Sequence, residues 1–570
     1  MASKEFALDI IRNRQSNQLS KATSILIIIL VFIFPLFLGS GKYTTITSDK
    51  AKFFFIVMAA YLVAILLIRI YAMSKGARLN RPNDMLTNLN IADWALLAYL
   101  LFMLVSTIIS SHPGVAFLGE TERYDGMLSQ SLYICLFFCV SRFYRPAMRE
   151  TIAMLAGALI VCIIGILQYH GADIFSLFPY DDYVDHLGQS DFTGRNIPFR
   201  TTIGNINILA VYLGMTILIA AMLFVHRGGK AGHAIKGNKG NKGSDVRKGG
   251  ELRDIKKRNA LDVLCILTLG SGFYLISLTP SEAAIFGLLA AFIFSLPFVF
   301  ECSRTLMRFS VIIIVCGLAG MLRMLSVLDG LLSILPWLIV IVIGLLFLLA
   351  CLILIKKNKV TFIKKKLGIV VMVAVVLLSL AAPEFLGRNP ENGMLFEARE
   401  ILHGNVDESF GTGRLFIWKN SLEMVKERPL FGSGPDTFGY HFNAYYPGDR
   451  LEIEYDKAHN EYLQILVCNG ILGLLAYLIF VFYSLFSGYK ATLRRLDYYL
   501  EPLKKNEAKT GLEIGKNRVM QILLPAFIGS VIFYLAQAFF GIATPITSVP
   551  FFLTLGMLRR FSDLVATQIK

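Results

Sequence analysis

Arg414 and His459 lie in or at the edge of residues 387–458, the largest stretch of the chain outside its apolar runs. Arg414 follows Gly411-Thr412-Gly413 and opens a segment in which Leu415, Trp418, Leu422 and Val425 recur at helical spacing. Lys419, Glu423, Lys426 and Glu427 fall opposite, and Pro429 ends the run. The pattern predicts a short amphipathic helix lying along a membrane surface. Its first turn offers backbone N–H groups, and the guanidinium beside them is a bidentate donor, so the pair could seat a phosphate. His459 stands in Ala458-His459-Asn460-Glu461-Tyr462, at the aqueous mouth of a long apolar run. An imidazole titrates close to neutral pH, which suits a general base; as an isolated residue it is equally an interfacial polar group.

Between them, Leu430-Phe431-Gly432-Ser433-Gly434-Pro435-Asp436 reads as a tight turn without the Lys-Ser/Thr of a nucleotide loop. His403, His441, Asp436 and His459 lack the short spacing of a zinc site. Tyr440, Tyr445, Tyr446 and Tyr455 could stack on sugar rings or anchor at the interface.

The elements that must position these residues are membrane helices. Of 570 residues, 55% are hydrophobic and only 17% charged, with a mean hydropathy of +0.60. Soluble domains carry about a quarter charged residues. Apolar runs long enough to cross a bilayer fall at 23–39, 53–73, 91–109, 128–143, 151–168, 206–226, 260–278, 281–300, 308–327, 331–355, 367–386, 459–487, 519–541 and 546–560. The fold class expected is therefore all-α and polytopic, with about 12–14 transmembrane helices and one large external loop. The first run lacks a small-x-small cleavage site and reads as a retained anchor.

Three regions follow: helices over 1–386, the loop over 387–458, and C-terminal helices over 459–570. The net charge of +16 is concentrated in segments 74–90, 227–259, 356–366 and 488–518. All four fall on one side of the proposed helices, which makes that side, and both termini, cytoplasmic. The low-complexity basic loop 227–259 then needs no nucleic acid to explain it. Arginines on the opposite side are conspicuous: Arg123, Arg195, Arg200, Arg388, Arg399, Arg414, Arg428 and Arg450. The eight cysteines form no C-x-x-C pair and read as small core residues.

The order Gly-Arg-x-x-x-Trp, Pro-Leu-x-Gly-x-Gly, Ala-His-Asn-x-x-Leu and Asn-Gly-x-x-Gly over 411–475 resembles the O-antigen ligase and polymerase family of bacterial membrane glycosyltransferases. Weaker echoes occur at Arg123-Tyr124-Asp125-Gly126 and Arg200-Thr201-Thr202-Ile203-Gly204-Asn205-Ile206-Asn207. The resemblance implies a GT-C-like helical fold in the cytoplasmic membrane. It implies transfer of a glycan, with inversion and without metal or other cofactor, from an undecaprenyl-diphosphate carrier to a glycan, lipid or protein acceptor on the outer face, during cell-surface polysaccharide assembly. Arg414 matches the family's loop arginine, expected on the pyrophosphate, and His459 its histidine, expected near the acceptor or the scissile bond. Arg123, Arg200, Trp418 and Asn460 are the expected substrate-binding residues.

In such a reaction the departing diphosphate gains negative charge, and prepositioned guanidinium groups favour that transition state. Proton removal would fall to His459, Glu461 or Asp436, or His459 would neutralise the diphosphate. One departure stands out: Thr279-Pro280-Ser281-Glu282 occupies the place where ligases often carry Ser-Arg, so Arg200 or Arg123 would supply that charge, or the donor is held differently. The rival class is a transporter of a lipid-linked glycan. It would want ionisable residues at midmembrane and an internal repeat; neither is evident in the sequence.

Overall fold

The computed structural model describes residues 2–75, 89–121, 123–176, 199–227, 246–279, 281–327, 331–356, 365–388, 394–445, 455–500 and 511–569. Among the described residues every regular element is a helix. Eleven helices are long and apolar enough to cross a membrane, and Met127–Phe143 and Ile522–Gln537 are shorter apolar helices. All the apolar runs read from the sequence fall on helices, the last within Pro545–Ile569. This is an all-α polytopic membrane protein.

The basic segment 227–259 is only partly a connection. Residues 228–245 lie outside the described residues, but a helix begins at Val246 and continues to Leu278. Glu251, Leu252, Arg253, Lys256, Lys257 and Arg258 are good helix formers, so the apolar helix extends into them at little cost.

The chain forms two compact units. The first comprises Met1–Arg145, Ser379–Ala491 and Leu535–Lys570; the second comprises Pro146–Leu378 and Thr492–Tyr534. Within the first, aromatic rings hold the helices together: Tyr133 packs on Phe54 and Phe552, and Phe480 on Phe137 and Phe552. The first helix loosens into a π turn at Ile29–Ile33 ahead of Pro35. The helix ends at Leu36, and Lys50 Nζ caps carbonyls of its last turn, 2.8 Å from Phe34 O and 3.0 Å from Pro35 O.

One end of this unit is closed by charge. Asn90 and Asp93 form a reciprocal capping box at the start of Ile91–Ile109. Buried Asp93 also meets Arg142, 3.0 Å away at the end of Met127–Phe143, and Arg559, 3.3 Å away late in Pro545–Ile569. The remaining ends of Ile91–Ile109 and Met127–Phe143 lead towards the candidate site.

The second unit is built around Ile206–Arg227, whose membrane window is buried throughout. Phe533 fills the space left by Gly214 and Gly287. Arg308 ties Asp262 at 2.8 Å and lies over the Phe224 ring. By contrast, Ile334–Ile353 has little buried surface, as expected of a helix that is apolar all round and faces lipid.

Candidate functional site

The loop helix predicted after Gly413 is present as Arg414–Val425. Three successive residues ahead of it, Gly411, Thr412 and Gly413, take positive φ of 64°, 59° and 82°. That turn delivers the chain sharply into the helix, and Arg414 becomes its first residue. The packed face differs from the expected Leu415–Trp418–Leu422–Val425 stripe: Ile417, Ser421 and Met424 are buried, while Leu422 is 53% exposed. The physical cause is Trp418. Its indole N–H donates to Ala458 O at 3.0 Å and its ring meets Phe539 and Phe540, so the helix is held by its flank. Ile417 and Met424 then join a core with Phe438, Phe442, Ala458, Leu463, Val467 and Cys468.

Trp418 thereby ties the loop helix to the residue immediately before His459. On the other side of His459, Asn460 starts the long helix Glu461–Leu500: its Oδ1 accepts the Leu463 N–H at 3.0 Å, a side-chain N-cap. Ala458 N–H donates to Gln464 Oε1 at 2.8 Å. His459 is held between these anchors at φ 50°, a conformation uncommon for a residue with a Cβ. Such backbone costs on the order of 1–3 kcal/mol and persists where its surroundings impose it.

The structure brings Arg123, Arg414 and His459 together. Burial lowers the pKa of His459, and the positive charges of Arg414 and Arg123 lower it further, against an opposing contribution from Asp456. Arg123 comes from the connection before Met127–Phe143, and its Nε donates to Asp456 Oδ2 at 2.6 Å. Burial raises the Asp456 carboxyl, but the charge and hydrogen bond of Arg123 outweigh it, so Asp456 stays ionised. The result is an imidazole biased towards its neutral form by burial and by two guanidinium groups. Arg200 belongs to the second unit, where its backbone N–H donates to Gln168 Oε1 at 3.2 Å.

The carboxylates offered as alternative proton acceptors are engaged elsewhere. Asp436, at φ 59°, is buried, is ion-paired with Lys457, and accepts the backbone N–H groups of Glu120 at 2.8 Å and Asp125 at 3.1 Å. Lys457 also faces Asp125 at 3.8 Å. Burial would lower the Lys457 pKa, but the two aspartates more than reverse this. Glu461 is buried too; its backbone N–H donates to Ala538 O and its Oε1 accepts the Tyr477 hydroxyl at 2.9 Å. The Asp125–Lys457–Asp436 network went unread in the sequence. Its only local signal was a lysine and an aspartate flanking motifs already singled out.

The Pro-Leu-x-Gly-x-Gly turn and the Asn-Gly motif prove to be one structure. The helix Glu461–Leu500 is broken at Gly470, which has φ 69°. At the break, Ser433 and Gly434 N–H groups bond to the carbonyls of Val467 and Cys468 at 3.0 and 2.9 Å. In return, Ile471 and Leu472 N–H groups bond to Pro429 and Leu430 carbonyls at 2.8 and 3.4 Å. A Cβ at Gly470 would strike the Leu430 carbonyl, and one at Gly432 would strike the backbone of Cys468.

The remaining candidates fall in several places. Tyr455 packs against Phe416 and Phe442 rather than at a surface. His403 lies 3.4 Å from Glu384. Glu282 is in the first turn of Glu282–Val299, where a carboxylate suits the helix dipole. Arg195, Arg450 and Tyr446 lie outside the described residues.

Residues 321–478 match a family model described as Wzy_C: O-Antigen ligase. That range takes in Arg414, Trp418, the Gly434 turn, His459, Asn460 and the break at Gly470; Arg123 and Arg200 precede it. A Haemophilus influenzae protein described as uncharacterized is 26% identical over 132 residues, covering 22% of this chain. The match spans about a third of that relative's length, 33%. With its helical, membrane-spanning architecture, the chain is a multi-pass membrane protein whose segment around Arg414 and His459 is similar to the O-antigen ligase family.

Proposed function

We propose that the protein transfers a glycan from an undecaprenyl-diphosphate carrier to an acceptor hydroxyl during cell-surface polysaccharide assembly, at the outer face of the cytoplasmic membrane. The observation that carries this reading is the placing of His459, held by the Trp418–Ala458 and Asn460–Leu463 bonds, within electrostatic reach of Arg414 and Arg123. In the reaction, His459 accepts the proton of the acceptor hydroxyl as its oxygen bonds to the anomeric carbon. The bond from that carbon to the diphosphate oxygen breaks on the opposite face, which inverts the configuration. The electron pair leaves with the lipid diphosphate, and the guanidinium groups of Arg414 and Arg123 stabilise the charge that develops. No step requires a metal. Trp418 and Asn460 serve by holding the two sides of His459.

The loop 387–458 is then the catalytic segment between two sets of helices. The positions of the helix ends in the first unit support an outward-facing site. Asp93, Arg142 and Arg559 gather at the end that the basic segments assign to the cytoplasm, and Lys457 meets Asp125 at the opposite ends.

The decisive assay uses purified full-length protein in lipid, a radiolabelled undecaprenyl-diphosphate glycan and excess EDTA. Labelled product from wild type and none from His459→Ala is the expected result, and product length separates polymerase from ligase. Loss of product with EDTA would overturn the metal-free mechanism. Binding and vesicle uptake of the carrier with no product would instead identify a transporter. Orientation has its own test: a single cysteine at exposed Asn405 should react with an impermeant reagent in intact cells, and protection would reverse the topology.

A further inference from the structure

A second group of basic side chains lies in the first unit, built from residues that the transfer chemistry does not use. His112 follows the helix Ile91–Ile109, Arg428 follows the loop helix, and His441 sits on the short helix Phe438–Tyr445. These three elements are fixed to one another. Ser110 Oγ donates to Ser433 O at 2.6 Å, and Arg428 Nη2 donates to Ser111 Oγ at 2.8 Å. The rings of His112 and His441 meet edge to face with centroids 5.6 Å apart, and Tyr440 covers His112 at 4.8 Å.

His112 Nδ1, His441 Nε2 and Arg428 Nη1 are shielded from solvent and have no hydrogen-bond partner among the described residues. Arg428 is close enough to act electrostatically on His441, as is His112. Two carboxylates lie nearby: Glu427, next to Arg428 in the chain, acts electrostatically on His441, and Glu120 acts on Tyr440. Neither supplies an acceptor to the three shielded nitrogens.

We propose that His112, His441 and Arg428 form a second oxyanion site that takes a phosphoryl group. A phosphoryl group offers three acceptor oxygens in a pyramid, which suits three donors from three elements better than a planar carboxylate does. Each imidazole contributes an N–H in the appropriate tautomer, and the guanidinium contributes the permanent charge. Tyr440 is 42% exposed beside this group, and its flat face suits a sugar carrying the phosphate. The site stands independently of the transferase reading.

The test is a titration of full-length protein, with isotope-labelled histidine, in phosphatidylcholine nanodiscs. Inorganic phosphate is the probe, and His112, His441 and His459 signals are assigned by single His→Gln variants. The expected result is a saturable shift of the His112 and His441 signals, with affinity at least tenfold weaker in Arg428→Gln and largely restored in Arg428→Lys. Arg414→Gln should leave those two signals responsive while weakening any response of His459. A parallel sample with phosphatidic acid in the nanodisc and no added phosphate distinguishes the source. A response to free phosphate alone supports a soluble or glycan-borne group, and a response to the lipid supports a headgroup. Absence of a His112 and His441 shift in both samples would overturn the site, as would equal phosphate affinity in a folded Arg428→Gln protein.

Discussion

Lys457 lies between two aspartates, whereas His459, two residues further on, lies beside two arginines. Around Lys457, Asp436 is ion-paired with the lysine and collects two backbone N–H groups, while burial raises the Asp125 pKa to about 7. Around His459 burial and the charges of Arg414 and Arg123 lower its pKa, while Asp456, which opposes them, is shared with Arg123. The cluster around Lys457 joins three chain segments: the connection before Met127–Phe143, the Gly434 turn and the approach to His459. In the proposed reaction the arginines beside His459 meet the anionic diphosphate. The same short connection therefore carries both a structural ion cluster and the histidine proposed for the transfer chemistry.

The comparison can be broken most forcibly at Lys457. Replacing it by Met leaves two buried carboxylates without their counter-ion, so a loss of about 3–5 kcal/mol is expected, read as a lower unfolding midpoint in detergent. Adding Asp436→Asn and Asp125→Asn to that variant should recover part of the loss, because the unpaired charges go too. If Lys457→Met unfolds like wild type, the cluster does not hold the connection. Arg414→Lys tests the other side. It should leave the unfolding midpoint unchanged and reduce turnover about 100-fold, since an ammonium cannot reproduce the guanidinium fork. Near-normal turnover would remove Arg414 from the phosphate.

Smaller effects sharpen the same contrast. Trp418→Phe keeps the ring contacts but loses the bond to Ala458 O, so about 1 kcal/mol of stability should go, with a measurable fall in kcat as His459 loses one anchor. The smallest effect is a displacement on the pH axis. Because His459 is depressed by burial and by two arginines, the acid limb of kcat/KM should lie below the ordinary histidine value. Activity is retained above that limb, where the imidazole is neutral, and lost as pH falls through it. Arg123→Gln removes one depressing charge and releases Asp456 to raise His459, so the limb should move to higher pH. A shift to lower pH, or none, would show that another group titrates in that limb.

The fold was legible because bilayer-length apolar runs are local and unambiguous, and each one became a helix. Arg414 and His459 stand out in the sequence because their neighbours form an ordered set of motifs, and the structure places them within electrostatic reach of each other. What local pattern could not convey was partnership between distant segments. Asp436 looked like a free carboxylate until Lys457 and Asp125 were seen around it, and Arg123 gained meaning from Asp456. The helix Arg414–Val425 was correctly bounded but rotated. Periodicity weighs all apolar positions alike, while the single polar atom of the Trp418 indole selected the flank that turned inward. Arg200, grouped with Arg123 by sequence, belongs to a different compact unit.

The break at Gly470 bears on how this region can be exchanged between proteins. Inside a bilayer, backbone groups released by a broken helix must find partners in protein. Here a segment some forty positions earlier supplies them, acceptor for donor and donor for acceptor. Residues 429–434 and 467–472 thus behave as a single cassette divided in the chain. A chimera that imports either half alone would combine a turn and a helix whose amides no longer correspond. Grafting both halves together would keep the hydrogen-bonding register and allow the residues between them, including His459, to be replaced as a block.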